Sequence, residues 1–194
     1  MNKWIVTGVC ALIAASFVVV NAQDGGDAGG GMMQMPAWMQ KTQHHKDMAK
    51  NAGEFTVETK MWMGAGEPMP GTATATIKAI KNGYYMHETF KMNFMGQPFE
   101  GTSITGYDTV RKKHVSLWVD SMSPVPYISY GEEKDGKITY MGKGPNMMGQ
   151  MEGKKMVVSN ITADGWTVDF FDIKADGKEH QSMHMKYTRK KKAE

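Results

Sequence analysis

The chain has 194 residues, a formal net charge of +3 and a single cysteine, and its length suits one domain. Cys10 lies in an N-terminal segment that we predict is removed, which excludes disulfides, cysteine-ligated zinc and thiolate catalysis from the mature chain. The 23 basic and 20 acidic residues are nearly balanced, and no basic stripe is interleaved with aromatic residues, so we expect no nucleic-acid binding.

The first segment has the composition of a secretory signal. Asn2 and Lys3 give a short basic start, an apolar run follows from Trp4 to Val20, and Ala22 ends a small-x-small cleavage pattern. We therefore predict a signal peptide at 1–22, a periplasmic or secreted protein, and no stable membrane insertion after cleavage. A retained N-terminal anchor is the alternative.

A predicted spacer and a segment with a helical apolar pattern follow the predicted signal. Residues 23–35 are rich in Gly and Asp and are predicted to form a disordered spacer. From Pro36 to Ala52 the pattern predicts a helix with a thin apolar stripe, and Gly53 is placed as its C-terminal cap.

From Glu54 onward the hydrophobic period is two and turn residues recur regularly, which is typical of antiparallel strands. Lys81-Asn82-Gly83 and three Asp-Gly pairs mark tight turns, since Gly, Asn and Asp accept positive φ readily. The predicted strands lie at about 54–63, 72–81, 84–95, 99–107, 114–121, 126–133, 137–142, 154–162, 166–174 and 179–188.

This pattern predicts an all-β fold, an antiparallel up-and-down barrel of about ten strands behind one short helix. Closure removes the exposed edges of such a sheet. The barrel domain is assigned to 36–188 and a basic tail to 189–194. An open two-sheet sandwich is the alternative.

Alternation along the strands sorts side chains by face. Ser116, Trp118 and Asp120 share one face, and the opposite face of the same strand is also apolar, so the helix or a second subunit is expected to cover it. A homodimer is one way to provide that cover. Glu88 lies in an otherwise apolar row, where a carboxylate needs a partner or a raised pKa.

The histidines show no spacing typical of a metal site. His180 and His184 share a strand face but are roughly 13 Å apart at ~3.3 Å per residue, too far to chelate one ion. Haem binding would need an inward histidine, and the alternation is interpreted as placing none there. We therefore predict no resident metal and no cofactor.

Methionine is abundant, with 20 residues against two leucines. On strand faces, Met61, Met63, Met86, Met92, Met183 and Met185 are interpreted as apolar filling in place of leucine. Thioether sulfur also suits Cu(I) or Ag(I), and the clusters at 32–35 and 147–151 keep a soft-metal site as a minor hypothesis.

Several blocks together resemble the bacterial family catalogued as domain of unknown function 1579. They are 92–101, from Met92 to Gly101; Gly106-Tyr107-Asp108; Lys112-Lys113; and 118–123, from Trp118 to Ser123. The resemblance covers nearly all of the mature chain and implies a small lipocalin-like barrel, often behind an export signal. It implies no settled activity. Where the family more often has bulky aliphatics before Gly53, this chain has Asn51 and Ala52.

The leading functional hypothesis is a small apolar or amphipathic ligand bound inside the barrel, with a site formed by Glu88, Tyr107, Ser116, Trp118 and Asp120. The main alternative is a structural or interaction module of the cell envelope with a filled core, in which Trp118 is core, Asp120 caps the following turn and Glu88 pairs with a lysine. No nucleophile or phosphate-loop motif is present, so an enzyme is disfavoured; Glu88 and Asp120 would be its acid/base groups.

Overall fold

The computed structural model describes residues 35–191. The predicted signal at 1–22 lies outside the described residues, as do nearly all of the predicted spacer at 23–35 and the last three residues of the basic tail. Within 35–191, no helix has the length and apolar character needed to cross a membrane.

The N-terminal helical segment is shorter than its sequence pattern predicts. A 3-10 turn at Ala37–Met39 is followed, after a break, by helix α1 at Gln43–Ala49. Thr42 is extended, and its amide donates to His45 Nδ1 at 3.0 Å, which fixes the start of α1. The prediction that Gly53 caps the helix is wrong, because α1 ends at Ala49 and Gly53 begins the first strand.

Ten antiparallel strands fill the rest of the described chain, close to their predicted bounds. They are β1 (Gly53–Met61), β2 (Met69–Ile80), β3 (Tyr85–Phe94), β4 (Gln97–Asp108), β5 (Lys113–Asp120), β6 (Tyr127–Lys134), β7 (Lys137–Pro145), β8 (Met151–Thr162), β9 (Gly165–Ile173) and β10 (Glu179–Arg189). The last strand extends one residue into the segment assigned to the tail.

Each strand pairs with its neighbours in sequence, and β1 pairs with β10, so the sheet is a closed barrel. The predicted up-and-down barrel is confirmed, and the open sandwich is excluded. Asn82 at φ 58° and Asp135 at φ 52° occupy the left-handed region in two of the predicted tight turns.

Helix α1 contacts β3 and β4 and therefore lies at one end of the barrel, which we call the helix end. The Tyr84 hydroxyl donates to the Met39 carbonyl at 2.5 Å and the Thr109 hydroxyl donates to the Trp38 carbonyl at 2.6 Å. These two bonds hold the preceding segment against the same end. The turns after β1, β3, β5, β7 and β9 lie at the opposite end.

Candidate functional site

The inward faces of the strands differ in size around the barrel. Large apolar side chains cover one wall, formed by β1, β3, β9 and β10: Phe55, Val57, Met86, Phe90, Val168, Met185 and Tyr187. The facing wall, formed by β4 to β7, combines small residues with aromatic rings that lie over them: Gly101 lies under Trp118, Gly131 under Tyr140 and Gly142 under Tyr127. The barrel therefore has one bulky apolar wall and a facing wall in which aromatic rings cover small residues.

Glu88 is the carboxylate on the bulky wall. The Tyr187 hydroxyl donates to Glu88 Oε1 at 2.9 Å, and the Ser103 hydroxyl donates to Oε2 at 3.0 Å. Burial raises the pKa of Glu88, and the two hydrogen bonds oppose that rise. Glu88 thus pairs with two hydroxyls rather than with the lysine that the alternative hypothesis required.

Ser116 and Trp118 face inward from β5, on the wall formed by β4 to β7. Ser116 is buried, and the Thr105 hydroxyl donates to its oxygen at 3.5 Å. The Trp118 ring lies over Gly101, where no side chain blocks it, and stacks at 6.5 Å on Phe99. Because Trp118 pairs in register with Ser103, it lies near the hydroxyl that binds Glu88.

Asp120 serves the turn that follows β5. Its Oδ1 accepts the amides of Met122 at 2.9 Å and Ser123 at 3.0 Å, and its Oδ2 accepts the Trp118 indole N–H at 2.8 Å. Both oxygens are therefore engaged in holding the turn and orienting the indole. This is the turn-capping geometry of the alternative hypothesis.

Tyr107 lies nearer the helix end than the other predicted site residues. It pairs in register with His114 of β5. Along β4 it is four residues from Ser103, a distance of about 13 Å. Its ring stacks on His44 of α1 at 4.0 Å. The structure therefore brings Glu88, Ser116 and Trp118 into the barrel interior, puts Asp120 at its margin, and leaves Tyr107 under the helix.

His114 corrects the interpretation that no histidine faces inward. It lies on the same face as Ser116 and Trp118 and is 3% exposed. The alternation that places Ser116 and Trp118 inward already implied this position for His114. Burial lowers the pKa of His114, and neighbouring His44 lowers it further, while Glu133 opposes the shift.

A second charged cluster on the inward face was missed from the sequence. Lys154 Nζ bonds Asp172 Oδ1 at 2.7 Å and Glu152 Oε1 at 2.8 Å near the end opposite the helix. Burial lowers the pKa of Lys154, but the two carboxylates outweigh it and the net shift is upward. Because the cluster joins β8 to β9 across the sheet, no local spacing reveals it.

The apolar interior is accessible toward the end opposite the helix. Buried positions such as Phe55 and Ile77 lie nearer the helix end, whereas Met92, Phe170 and Met183, nearer the other end, are only partly buried although they point inward. Met156 and Val158 on β8 are likewise only partly buried. Solvent can therefore reach an apolar lumen that extends toward Glu88.

The methionines divide between interior and surface. Met61, Met86 and Met185 are buried in the core, as predicted, but Met63 lies beyond the end of β1 and is 66% exposed. Of the two loop clusters, 32–35 lies almost wholly outside the described residues. Met147, Met148 and Met151 in the other are exposed.

Two clefts lie at the helix end. One of about 510 Å³ separates the segment at Met35–Met39 from the strand ends and includes Tyr84, Tyr107 and Val115. The other, of about 330 Å³, is lined by His44, His114 and Glu133 together with Lys112. His44 Nδ1 and His114 Nε2 lie 3.3 and 3.6 Å from Glu133 Oε2.

Comparison with known proteins identifies the family. The model of the family described as protein of unknown function (DUF1579) matches residues 40–189, so the chain belongs to that family. The fold is similar to that of Rv2717c from M. tuberculosis, with a TM-score of 0.56 and 8% sequence identity over 78% of this chain and 100% of that one. At this identity the likeness extends to the fold alone. No curated protein matches the chain.

Proposed function

We propose that this DUF1579 barrel binds a small amphipathic molecule in its lumen, with a hydrogen-bond donor of the ligand directed to Glu88. The observation that carries the proposal is a carboxylate, held by two hydroxyls, in the wall of an apolar space that solvent can reach. Ligand sites combine such apolar lining with a few fixed polar groups.

The side chains that line the lumen favour a ligand with an irregular apolar part. Met92, Met156 and Met183 are only partly buried, and their flexible side chains can adjust to irregular apolar groups. Trp118 adds a flat apolar surface whose N–H is already occupied by Asp120. The apolar part of the ligand would pack between these side chains.

The charges favour a neutral or cationic head group. Among the described residues Glu88 forms no ion pair with a lysine or arginine, and the inward-facing Lys154, near the end opposite the helix, is already paired with Glu152 and Asp172. An anionic ligand would meet uncompensated negative charge at Glu88, whereas an amine or hydroxyl would donate to it.

The test is displacement of the fluorescent probe 1-aminoanthracene from the purified chain by three twelve-carbon competitors. Dodecanol and dodecylamine are expected to displace the probe, and dodecanoate to do so at least about tenfold less well, since a charge-assisted bond contributes about 1.5–3 kcal/mol. Glu88→Gln should remove the advantage of the amine. Glu58→Gln, on the outward face of β1, is the matched control.

Two outcomes would overturn the proposal. One is a wild-type chain that binds neither the probe nor any competitor while native mass spectrometry finds no co-purified molecule. The other is an order of competitors that is the same in wild type and Glu88→Gln, which would show that the ligand does not reach Glu88.

We also propose that the chain is exported and that residues 1–22 are removed. The support is the basic start, apolar run and cleavage pattern of the sequence. Intact mass and N-terminal sequencing of protein recovered outside the cytoplasm should place Gln23 first. Recovery of the full-length chain only from the cytoplasmic fraction would contradict it.

A further inference from the structure

Two histidines and one glutamate form a cluster at the helix end that the proposed ligand site does not use. His44 of α1, His114 of β5 and Glu133 of β6 each present one ligand atom, and the three atoms lie within 4.8 Å of one another. The cluster joins residues separated by 70 and 19 positions in the chain, so no sequence motif marks it.

The fold places these three side chains by rigid elements. His114 lies opposite Gly131 in the register, and Glu133 follows two residues later on the same inward face. His44 is in the first turn of α1 and is held by stacking on Tyr107, the register partner of His114. Strands therefore fix two of the groups, and an aromatic contact fixes the third.

The distances suit coordination of one ion. Bonds of about 2.0–2.2 Å in tetrahedral geometry separate neighbouring ligand atoms by roughly 3.3–3.6 Å. The separations from Glu133 Oε2 are 3.3 Å to His44 Nδ1 and 3.6 Å to His114 Nε2. Only the two imidazole nitrogens, which lie within 4.8 Å of each other, would have to come closer on binding the ion.

A second, independent observation is the state of the His114 ring. It is 3% exposed, and among residues 35–191 neither of its nitrogens has a hydrogen-bond partner within 3.5 Å, since Nε2 is 3.6 Å from Glu133 Oε2 and Nδ1 has no partner at all. A buried polar group without a partner is costly, and a metal ion at Nε2 would supply one. His45, by contrast, is already committed through Nδ1 to the Thr42 amide and is not part of the set.

We propose that His44, His114 and Glu133 bind one divalent transition-metal ion of the zinc class. Two imidazole nitrogens favour such an ion over Ca²⁺ or Mg²⁺, and the absence of a thioether from the set disfavours Cu(I). The adjoining cleft of about 330 Å³ leaves the remaining coordination position to water. The ion would join α1 to the barrel wall.

The test is a Zn²⁺ titration of the full chain, made without a histidine tag, against a chromophoric chelator. Wild type should bind one equivalent. His44→Gln, His114→Gln and Glu133→Gln should each weaken binding at least about tenfold, since even groups that only support ligands matter by that factor. His180→Gln, an exposed histidine outside the cluster, should bind as wild type.

A Co²⁺ titration followed by visible absorption supplies a readout of geometry. Wild type should give the intense bands of four- or five-coordinate cobalt, and Glu133→Gln should lose them. Because His114 is buried and its variant can misfold, His44→Gln, on the half-exposed helix face, is the deciding variant once circular dichroism shows a native barrel.

Equal Zn²⁺ affinity in wild type and the three cluster variants would overturn the site. So would a natively folded wild type that takes up no Zn²⁺, which would leave the cluster as a histidine–carboxylate contact beside Lys112. Neither result bears on displacement of 1-aminoanthracene, because the lumen site and this cluster share no residue.

Discussion

The Tyr187 hydroxyl donates a 2.9 Å hydrogen bond to Glu88 Oε1 and so joins two strands that are not neighbours in the sheet. Glu88 is on β3 and Tyr187 is on β10, with β1 and β2 between them. The bond therefore crosses the barrel interior. It holds β3 and β10 together and also places two polar groups in the lumen. Burial and the adjacent Glu88 charge raise the pKa of Tyr187 well above its usual range, so the phenol remains the donor.

Replacing Tyr187 by Phe should show how much its hydrogen bond to Glu88 stabilises the fold. Tyr187→Phe leaves one carboxylate oxygen without its partner, and we expect a loss of about 1–3 kcal/mol in the free energy of unfolding, measured in urea. Tyr130→Phe, with its ring on the exposed side of β6, is the control and should change stability little. A Tyr187→Phe variant as stable as wild type would show that the bond contributes nothing.

Replacing Glu88 by Gln should change how stability depends on pH. The folded-state pKa of Glu88 is raised above its ordinary value of 4.5, so protonation favours the folded state. That contribution is fully present below pH 4.5 and is lost as the pH rises through the raised folded-state pKa. Glutamine has no such loss. Wild type should therefore become less stable relative to Glu88→Gln as the pH rises across this window, and urea unfolding at a series of pH values measures the difference. A constant difference would contradict the shift.

Thr59→Val should make the barrel more stable. Thr59 is 2% exposed, and within residues 35–191 its hydroxyl has no hydrogen-bond partner. Valine has nearly the same shape without the buried oxygen, so a gain of about 1–2 kcal/mol is expected. Thr56→Val, on the exposed face of β1, should be neutral. Loss of stability on Thr59→Val would mean that a ligand or water satisfies the hydroxyl.

Gly101→Ala should disturb Trp118. A methyl group at position 101 would overlap the indole ring, which leads us to expect a loss of about 1–3 kcal/mol from overpacking. Gly144→Ala is the matched control, because its methyl group would meet Lys154 and Tyr127 at an ordinary 3.4 Å. Near-ultraviolet circular dichroism should report the displaced indole in Gly101→Ala alone. Identical spectra for the two variants would count against the close fit.

Arg189→Ala should loosen the helix. The guanidinium donates to the carbonyls of Ala52 at 2.7 Å, Lys50 at 3.1 Å and Ala163 at 2.7 Å, and lies 4.8 Å from the Phe55 ring centroid. Its loss should cost about 2–3 kcal/mol and increase hydrogen exchange across 43–52. Lys190→Ala, at an exposed position, is the control. Unchanged exchange would show that other contacts hold the helix.

Arg189 also explains how a chain with Asn51 and Ala52 before Gly53 can hold its helical segment to the barrel. The attachment uses the backbone carbonyls of Lys50 and Ala52, which any residue provides. Bulky aliphatic side chains at these positions are therefore not needed for the contact. A comparison of side chains alone could not have shown this.

The strands and their closure could be predicted because they depend on local signals. The period of two marks the strands, the turns at Asn82 and Asp135 fix two of the hairpins, and sequential pairing follows from short connections. The predicted helix is too long because its apolar pattern continues through the break before Thr42. A thin apolar stripe does not show where the backbone stops being helical.

The candidate site was only partly predictable. Alternation correctly grouped Ser116 with Trp118 and marked Glu88 as a carboxylate among apolar residues. The donor from Tyr187, and the meeting of His44 with Glu133, depend on strand order and helix docking, which no spacing within one segment encodes. The face of Tyr107 is predictable from the sequence, but its depth along the barrel is not, for the same reason.

The pairing of β1 with β10 has a consequence for how the barrel forms. Phe55 and Arg189 become neighbours only after 133 intervening positions have been ordered or looped out, which is the costliest loop in the sheet. Until β10 arrives, β1 presents an unpaired edge, and Tyr187 cannot reach Glu88. Synthesis from the N-terminus therefore yields a series of hairpins that stays open, with an edge able to pair with other chains, until β10 has emerged. Closure of the barrel, the lumen and the Tyr187–Glu88 hydrogen bond then form in one late step.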